Sequence, residues 1–256
     1  MNPNPRVVLA VALVGIGAGL LAVPAAADCP EFVGSVDTPG YAKAVAMSGG
    51  YAYVAAHIAG LRVIDMSTPS APVEVGFVDT PGWALGVAVA GGYAYVADWN
   101  GLRVIDVSTP SAPVEVGFVD TPGYALDVAV EGGYAYVADN GSGLCVIDVS
   151  KPSAPVVVGF LDTLGLTLGV AVSDRYAYLA NDERGLRVID VSTPSTPVEV
   201  GLSYTPNPAE GVAVSAGYVA VAVNLGGLAV YEDCAGALFA DGFESGDSSA
   251  WSATVP

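Results

Sequence analysis

Tyr41, Trp83 and Tyr124 each follow the tetrapeptide Asp-Thr-Pro-Gly, 42 and 41 residues apart. Side chains of this kind held at one mouth could stack on sugar faces or on apolar ligands; the competing reading is that they seal the top of a core. A second column runs His57, Trp99, Asn140, Asp182, Asn224, and the residues just before it include Asp98, Asp139 and Asn181. Their oxygens could hold Ca²⁺, or they could simply cap turns, since no loop has EF-hand spacing. Asp127 interrupts a column otherwise made of Ala44, Gly86, Gly169 and Gly211, and Glu210 stands in the neighbouring one with Lys43. Two carboxylates at the right separation are the acid and base of a glycoside hydrolase; an ion pair between Lys43 and Glu210 is the opposing reading. His57 is the single histidine, so no zinc cluster forms, and no motif sets a base beside a nucleophile. The expectation is a protein with no catalytic residues and no cofactor, Ca²⁺ being the one candidate ion.

These residues are placed by a repeat. Gly101 opens GLRVIDVSTPSAPVEVGFVDTPG, which recurs almost unchanged from Gly60 and more loosely from Gly143, Gly185 and Gly227, 41 or 42 residues apart. A period near 40 marks a repeat architecture in which one supersecondary unit packs on its neighbours. Each unit reads as four short strands: a at 83–89, b at 93–97, c at 102–106 and d at 114–119 in the second copy. Gly91-Gly92 turns a into b, and the prolines of STPSAP break the chain between c and d. Four antiparallel strands per unit describe a β-propeller blade, and the expected fold is all-β, a five-bladed β-propeller. In strand b, Tyr-Ala-Tyr puts bulk on one face and small groups on the other, so blades can nest. The Asp37, Asp79, Asp120 and Asp162 series is expected to make Asx turns before proline.

The ends specify closure. Residues 32–40 match a strand d, and the last copy, 208–232, supplies a, b and c, so the N-terminal strand is expected to complete the fifth blade as three strands plus one. Cys29 and Cys234 align to positions four residues apart in the c–d loop, and a Cys29–Cys234 disulfide would replace the missing connection. Cys145 stands where three other copies have arginine and is expected to be a buried free thiol. Arginine and glutamate occur together, as Arg62 with Glu74, Arg103 with Glu115 and Arg187 with Glu199. Where the base is lost the acid is lost too (Cys145 with Val157, Ala229 with Phe32), as a cross-strand ion pair requires.

Residues 1–27 carry Arg6, an apolar run and Ala25-Ala26-Ala27, the pattern of a cleaved secretory signal. The propeller then spans 28–234, and 235–256 form an acidic tail. A net charge of −18 excludes binding nucleic acid by phosphate neutralisation or anionic lipid through a basic patch. No other segment is long enough to insert in a membrane after cleavage.

The core LRVIDVSTPSAPVEVG followed by YAYVAD resembles the LVIVP repeat family of secreted bacterial and archaeal proteins, over residues 32–232. The resemblance implies a β-propeller that is extracellular or on the bacterial cell surface, without a defined reaction and with no catalytic residue to carry over. The segment LFADGFESGDSSAW resembles a C-terminal tail of secreted bacterial proteins, which implies a sorting or surface-retention tag; a plain acidic extension is the alternative. The expected role is a noncatalytic binding or scaffold module whose partner is a surface glycan, peptide or protein.

Overall fold

The structure is a computed structural model that describes residues 32–233. The signal segment, the tail and both Cys29 and Cys234 lie outside the described residues. All described elements are strands. The first sheet is β1 (Ala44–Ser48), β2 (Tyr51–Ala55), β3 (Leu61–Asp65) and β4 (Val73–Val78), hydrogen-bonded in that order. The second is β5 (Gly86–Ala90), β6 (Tyr93–Ala97), β7 (Trp99–Asp106) and β8 (Val114–Ala125). β9 (Asp127–Glu131), β10 (Tyr134–Ala138), β11 (Leu144–Asp148) and β12 (Val156–Leu161) make the third. β13 (Gly169–Ser173), β14 (Tyr176–Ala180), β15 (Leu186–Asp190) and β16 (Val198–Ser203) make the fourth. The fifth has β17 (Ala209–Ser215), β18 (Tyr218–Val223) and β19 (Gly227–Glu232). The inner strands β1, β5, β9, β13 and β17 pack on one another in sequence, giving a five-bladed β-propeller.

Local chemistry accounts for the strands. Gly91 and Gly92 have φ of 60° and 83°, values that turn β5 into β6 without steric cost. Strand b then divides by parity, as its sequence requires. Tyr95 and Ala97 face the third blade, where they meet Ala135, Val137 and Ile147, while Ala94 and Val96 face the first. The core is therefore four separate layers, one between each pair of successive blades. Every fully buried Val, Leu or Ile there contributes about 1.5–3 kcal/mol by leaving water.

A β-bulge recurs between strands c and d in the first four blades, at Val63/Ile64, Val104/Ile105, Val146/Ile147 and Val188/Ile189. The extra strand-d residue precedes a glycine (Gly76, Gly117, Gly159, Gly201). At the first three of these a Cβ would collide with the carbonyl of Pro110, Pro152 or Pro194, in the c–d loop of the next blade. Strand d thus lies flush on its neighbour's proline loop, an approach that only glycine permits.

Closure departs from expectation. Gly34 sits against the carbonyl of Pro69 as Gly76 sits against Pro110, so the N-terminal segment does take the place of a strand d beside the first blade. Among the described residues, however, it forms no strand and β19 pairs only with β18, so the described fifth sheet has three strands rather than three plus one. The facing surfaces show why little holds the seam. Strand b of the fifth blade has Ala220 where the others have Tyr95 or Tyr136, so its outward face has little bulk to bury. On the first blade Val45 is 63% exposed, whereas its counterpart Val87 is 8% exposed.

The paired arginines and glutamates meet as the sequence required: Arg62–Glu74 at 3.4 Å, Arg103–Glu115 at 3.2 Å and Arg187–Glu199 at 2.8 Å. Two guanidinium groups also lie on a strand-d ring, Arg62 at 4.5 Å from Phe77 and Arg103 at 3.5 Å from Phe118. Cys145 is a free, fully buried thiol, and burial pushes its pKa up to about 12, so it stays protonated and inert.

Candidate aromatic binding rim

The b–c and d–a loops open at the same end of the propeller, and one backbone device joins them. In the first four blades the residue at the b–c tip has positive φ: His57 54°, Trp99 70°, Asn140 47° and Asp182 37°. That conformation turns its backbone outward to bridge the next blade's d–a loop, as His57 with Ala84, Asn140 with Thr167 and Asp182 with Ala209. Trp99 pairs with Ala125 in the same way, which is why β8 runs on past its expected end at residue 119. The residue just before each bridged position is Trp83, Tyr124, Leu166 and Pro208 in turn. Whatever side chain precedes the bridge is therefore set against the tip side chain of the previous blade.

At the first two junctions, between blades one and two and between blades two and three, both positions are aromatic. His57 stacks on Trp83 with centroids 4.9 Å apart and planes at 21°, and Trp99 stacks on Tyr124 at 4.3 Å and 21°. Within blades, Tyr41 meets His57 edge-on at 5.9 Å, and Trp83 meets Trp99 at 4.9 Å. The five rings form one unbroken run across three blades. Tyr41, Trp83 and Tyr124 are exposed, at 71%, 44% and 51%, and His57 and Trp99 are half-buried. The sequence separated these rings into two columns; the inter-blade bridge, which no local pattern encodes, merges them. A tryptophan at positive φ is also uncommon, whereas the tips at His57, Asn140 and Asp182 carry residue types that adopt it more readily.

Asp98, Asp139 and Asn181 lie beneath this rim, all fully buried. Asp98 accepts from Arg103 Nε at 2.7 Å and from the Gly82 N–H at 3.3 Å; Asp139 accepts from the Gly123 N–H at 2.7 Å. Asn181 donates to Thr163 at 2.6 Å and Thr167 at 3.0 Å. Each ties its b–c loop to the d–a turn that leads into the same blade. Among the described residues no three His, Cys, Asp or Glu side chains gather where a metal ion could bind. Burial pushes the carboxyls of both Asp98 and Asp139 up, and Asp139 faces Cys145 rather than an arginine.

An aspartate whose pKa is higher in the folded state keeps its proton longer there than in the unfolded chain. The unfolded chain ionises first, so stability falls as pH rises from near 4 through the folded value. Asn181 shows the neutral solution to the same position, and Thr121 stands where Thr163 does. Asp139→Asn is expected to match wild type near pH 4 and to exceed it at pH 7, by about 1.4 kcal/mol for every unit by which burial raises the carboxyl. Urea titrations at the two pH values check this; an equal effect at both would show that ionisation is not the cause.

The Asx-turn expectation needs correction. Among Asp37, Asp79, Asp120 and Asp162, only Asp162 caps the N–H two residues on, that of Leu164 at 2.8 Å. In the other three loops that residue is proline, which has no N–H to give. Asp79 bonds Arg62 instead, at 3.0 Å. The Asx turns form at the ends of strand c, where Asp65, Asp106, Asp148 and Asp190 accept from Ser67, Ser108, Ser150 and Ser192. The Asp-x-Ser spacing was the available signal.

Asp127 lies on the inner strands, where a Cβ on Gly86 would come within 2.7 Å of its Cα. Its two carboxylate oxygens accept from the Val128 N–H at 2.9 Å and, across the blade interface, from the Val170 N–H at 3.1 Å. Glu210 and Lys43 are both exposed, and they form no ion pair with each other among the described residues.

Comparison with known proteins bears on fold. No curated protein matches the chain. Two crystal structures of computationally designed proteins are similar at 9% identity. Ika8 has a TM-score of 0.61, with 74% of this chain and 57% of that chain covered; Ika4 has 0.52, with 61% and 95% covered. The chain thus spans little more than half the length of the first, and at such identity the likeness is one of fold alone. The family model of the LVIVD repeat matches four consecutive stretches, 39–80, 81–121, 122–163 and 165–205, leaving the divergent fifth unit outside. Those stretches cover most of the described chain, in register with the blades and with the LVIVP-type resemblance in the sequence, and the protein belongs to the LVIVD repeat family.

Proposed function

We propose that the protein is a noncatalytic binding propeller, secreted or held at the bacterial cell surface, that meets its partner on the aromatic rim of blades one to three. The observation that carries this reading is the continuous run Tyr41, His57, Trp83, Trp99, Tyr124, open to solvent along one end of the fold. Tyrosine and tryptophan supply large contact area at low entropic cost, and they dominate the energetics of most recognition surfaces. A role limited to sealing the core is less well supported, because the fourth and fifth blades close the same junctions with Leu166, Asp182 and Pro208. Residues 1–27, with the features of an export signal, support the location. The alternative, a glycoside hydrolase using Asp127 and Glu210, gains no support from an aspartate whose two oxygens both hold backbone N–H groups.

The test uses replacements that the protein itself already tolerates. Trp83→Leu copies Leu166 and Trp99→Asn copies Asn140. An array of surface glycans and peptides probed with wild type and the double variant is expected to show ligands lost in the variant while Tm stays within a few degrees. Ligands bound equally by both proteins, or glycan cleavage by either, would overturn the reading.

A further inference from the structure

Resting on that reading of the rim, we infer that its partner is a positively charged protein segment, recognised through arginine or lysine side chains laid along the aromatic run. Three observations point to this chemistry. The first is charge: the chain carries 26 acidic against 8 basic residues. Arg62, Arg103, Arg175 and Arg187 are already committed to internal ion pairs. A field of this sign draws cations and repels anionic polymers.

The second is where the acids stand. The loops that carry Tyr41 and Tyr124 begin with Asp37 and Asp120, both exposed, and Asp162 continues the series beyond the last ring. Among the described residues, the rim's bases near a ring are His57, itself part of the run, and Lys43, whose ammonium approaches Tyr41 at 6.0 Å. Rings beside carboxylates, with few bases between them, form a receptor for cations with apolar stems.

The third is that the protein builds this receptor internally. Arg103 lies 3.5 Å from the Phe118 ring while bonding Glu115 at 3.2 Å, and Arg62 repeats the arrangement with Phe77 and Glu74. Each time a guanidinium is held by an aromatic ring and a flanking carboxylate. The rim carries exposed rings in loops that also hold the exposed Asp37 and Asp120. Planar guanidinium stacks on rings better than ammonium does, so arginine is the favoured contact.

The experiment titrates the purified full-length chain into labelled peptides of equal length: Gly-Arg repeats, Gly-Lys repeats and Gly-Ser repeats, with a neutral oligosaccharide as a fourth probe. Anisotropy is read at low and at physiological salt. The expected result is binding in the order Arg, Lys, Ser, weakened by salt. Trp99→Asn or Tyr124→Leu should cost about tenfold, the scale of one or two cation–ring contacts, and Asp37→Asn with Asp120→Asn should cost several-fold, each at unchanged Tm. Arginine-peptide binding that persists undiminished in Trp99→Asn would reduce the effect to bulk charge and overturn the inference. Ring-dependent binding of the oligosaccharide or the Gly-Ser peptide, with none of the arginine peptide, would overturn the cationic partner and leave the rim standing. Absence of any ring-dependent binding would remove both.

Discussion

Gly117→Ala is expected to cost the propeller about 3 kcal/mol, while Gly201→Ala is expected to change stability by less than about 0.5 kcal/mol. The two glycines occupy the same place in strand d, each following the same bulge. They differ only in what lies beyond. A Cβ on Gly117 would run into the Pro152 carbonyl and the Pro155 ring, which belong to the next blade and cannot rotate away. On Gly201 it would meet only the Val188 side chain, at 3.5 and 3.6 Å, an ordinary contact, because the fifth blade offers no proline loop among the described residues. Overpacking at the first site must push two blades apart; at the second it fills open space. In a thermal melt the first change should lower Tm by roughly 6–12 °C. Equal shifts for the two variants would show that strand d does not depend on this contact between blades.

Arg103→Ala should be more damaging still, by about 3–5 kcal/mol at neutral pH. Arg103 bonds Asp98, which is fully buried, and removing the guanidinium leaves that carboxylate with the Gly82 N–H alone. Burial already raises the Asp98 pKa, with Arg103 pulling against it; without the arginine it climbs further. The sign follows from linkage. The folded variant must either keep a proton that the unfolded chain releases or carry a buried, unpaired charge, so the deficit grows as pH rises from about 4 toward 7. Chemical denaturation at pH 4.5 and pH 7.5 should show the smaller loss in acid, and adding Asp98→Asn should restore at least half of it at pH 7.5. A loss independent of pH, or no recovery in the double variant, would assign the effect to packing on Phe118 instead. The third blade lives with a milder form of this problem, since Asp139 faces Cys145 there.

Much of this architecture could be read directly from the chain. The joint presence and joint loss of arginine and glutamate predicted the ion pairs, because a cross-strand pair is useless with one partner, and all three pairs form. Strand b alternation foretold the nesting of Tyr95 on Ala135. The Asx turns were misplaced because a repeated Asp looks like a cap whether or not the residue two positions on has an N–H to give, and proline does not. The fifth blade was read as closed because residues 32–40 match a strand d. Matching that position requires only contact with the first blade, which Gly34 makes; pairing with β19 is a separate condition that the pattern does not test.

The sequence alone determined the period, the strand count of the first four blades, the blade order and which side chains crowd each loop, since all of these depend on residues near one another in the chain. Only the tertiary structure decided that two columns of rings become one surface and that Asp98, Asp139 and Asn181 are buried and hydrogen-bonded to the loops around them. It also decided that Asp127 caps its neighbour's backbone. Each of these depends on how far one blade is turned against the next, and that angle is set by packing between sheets, which no stretch of 42 residues contains.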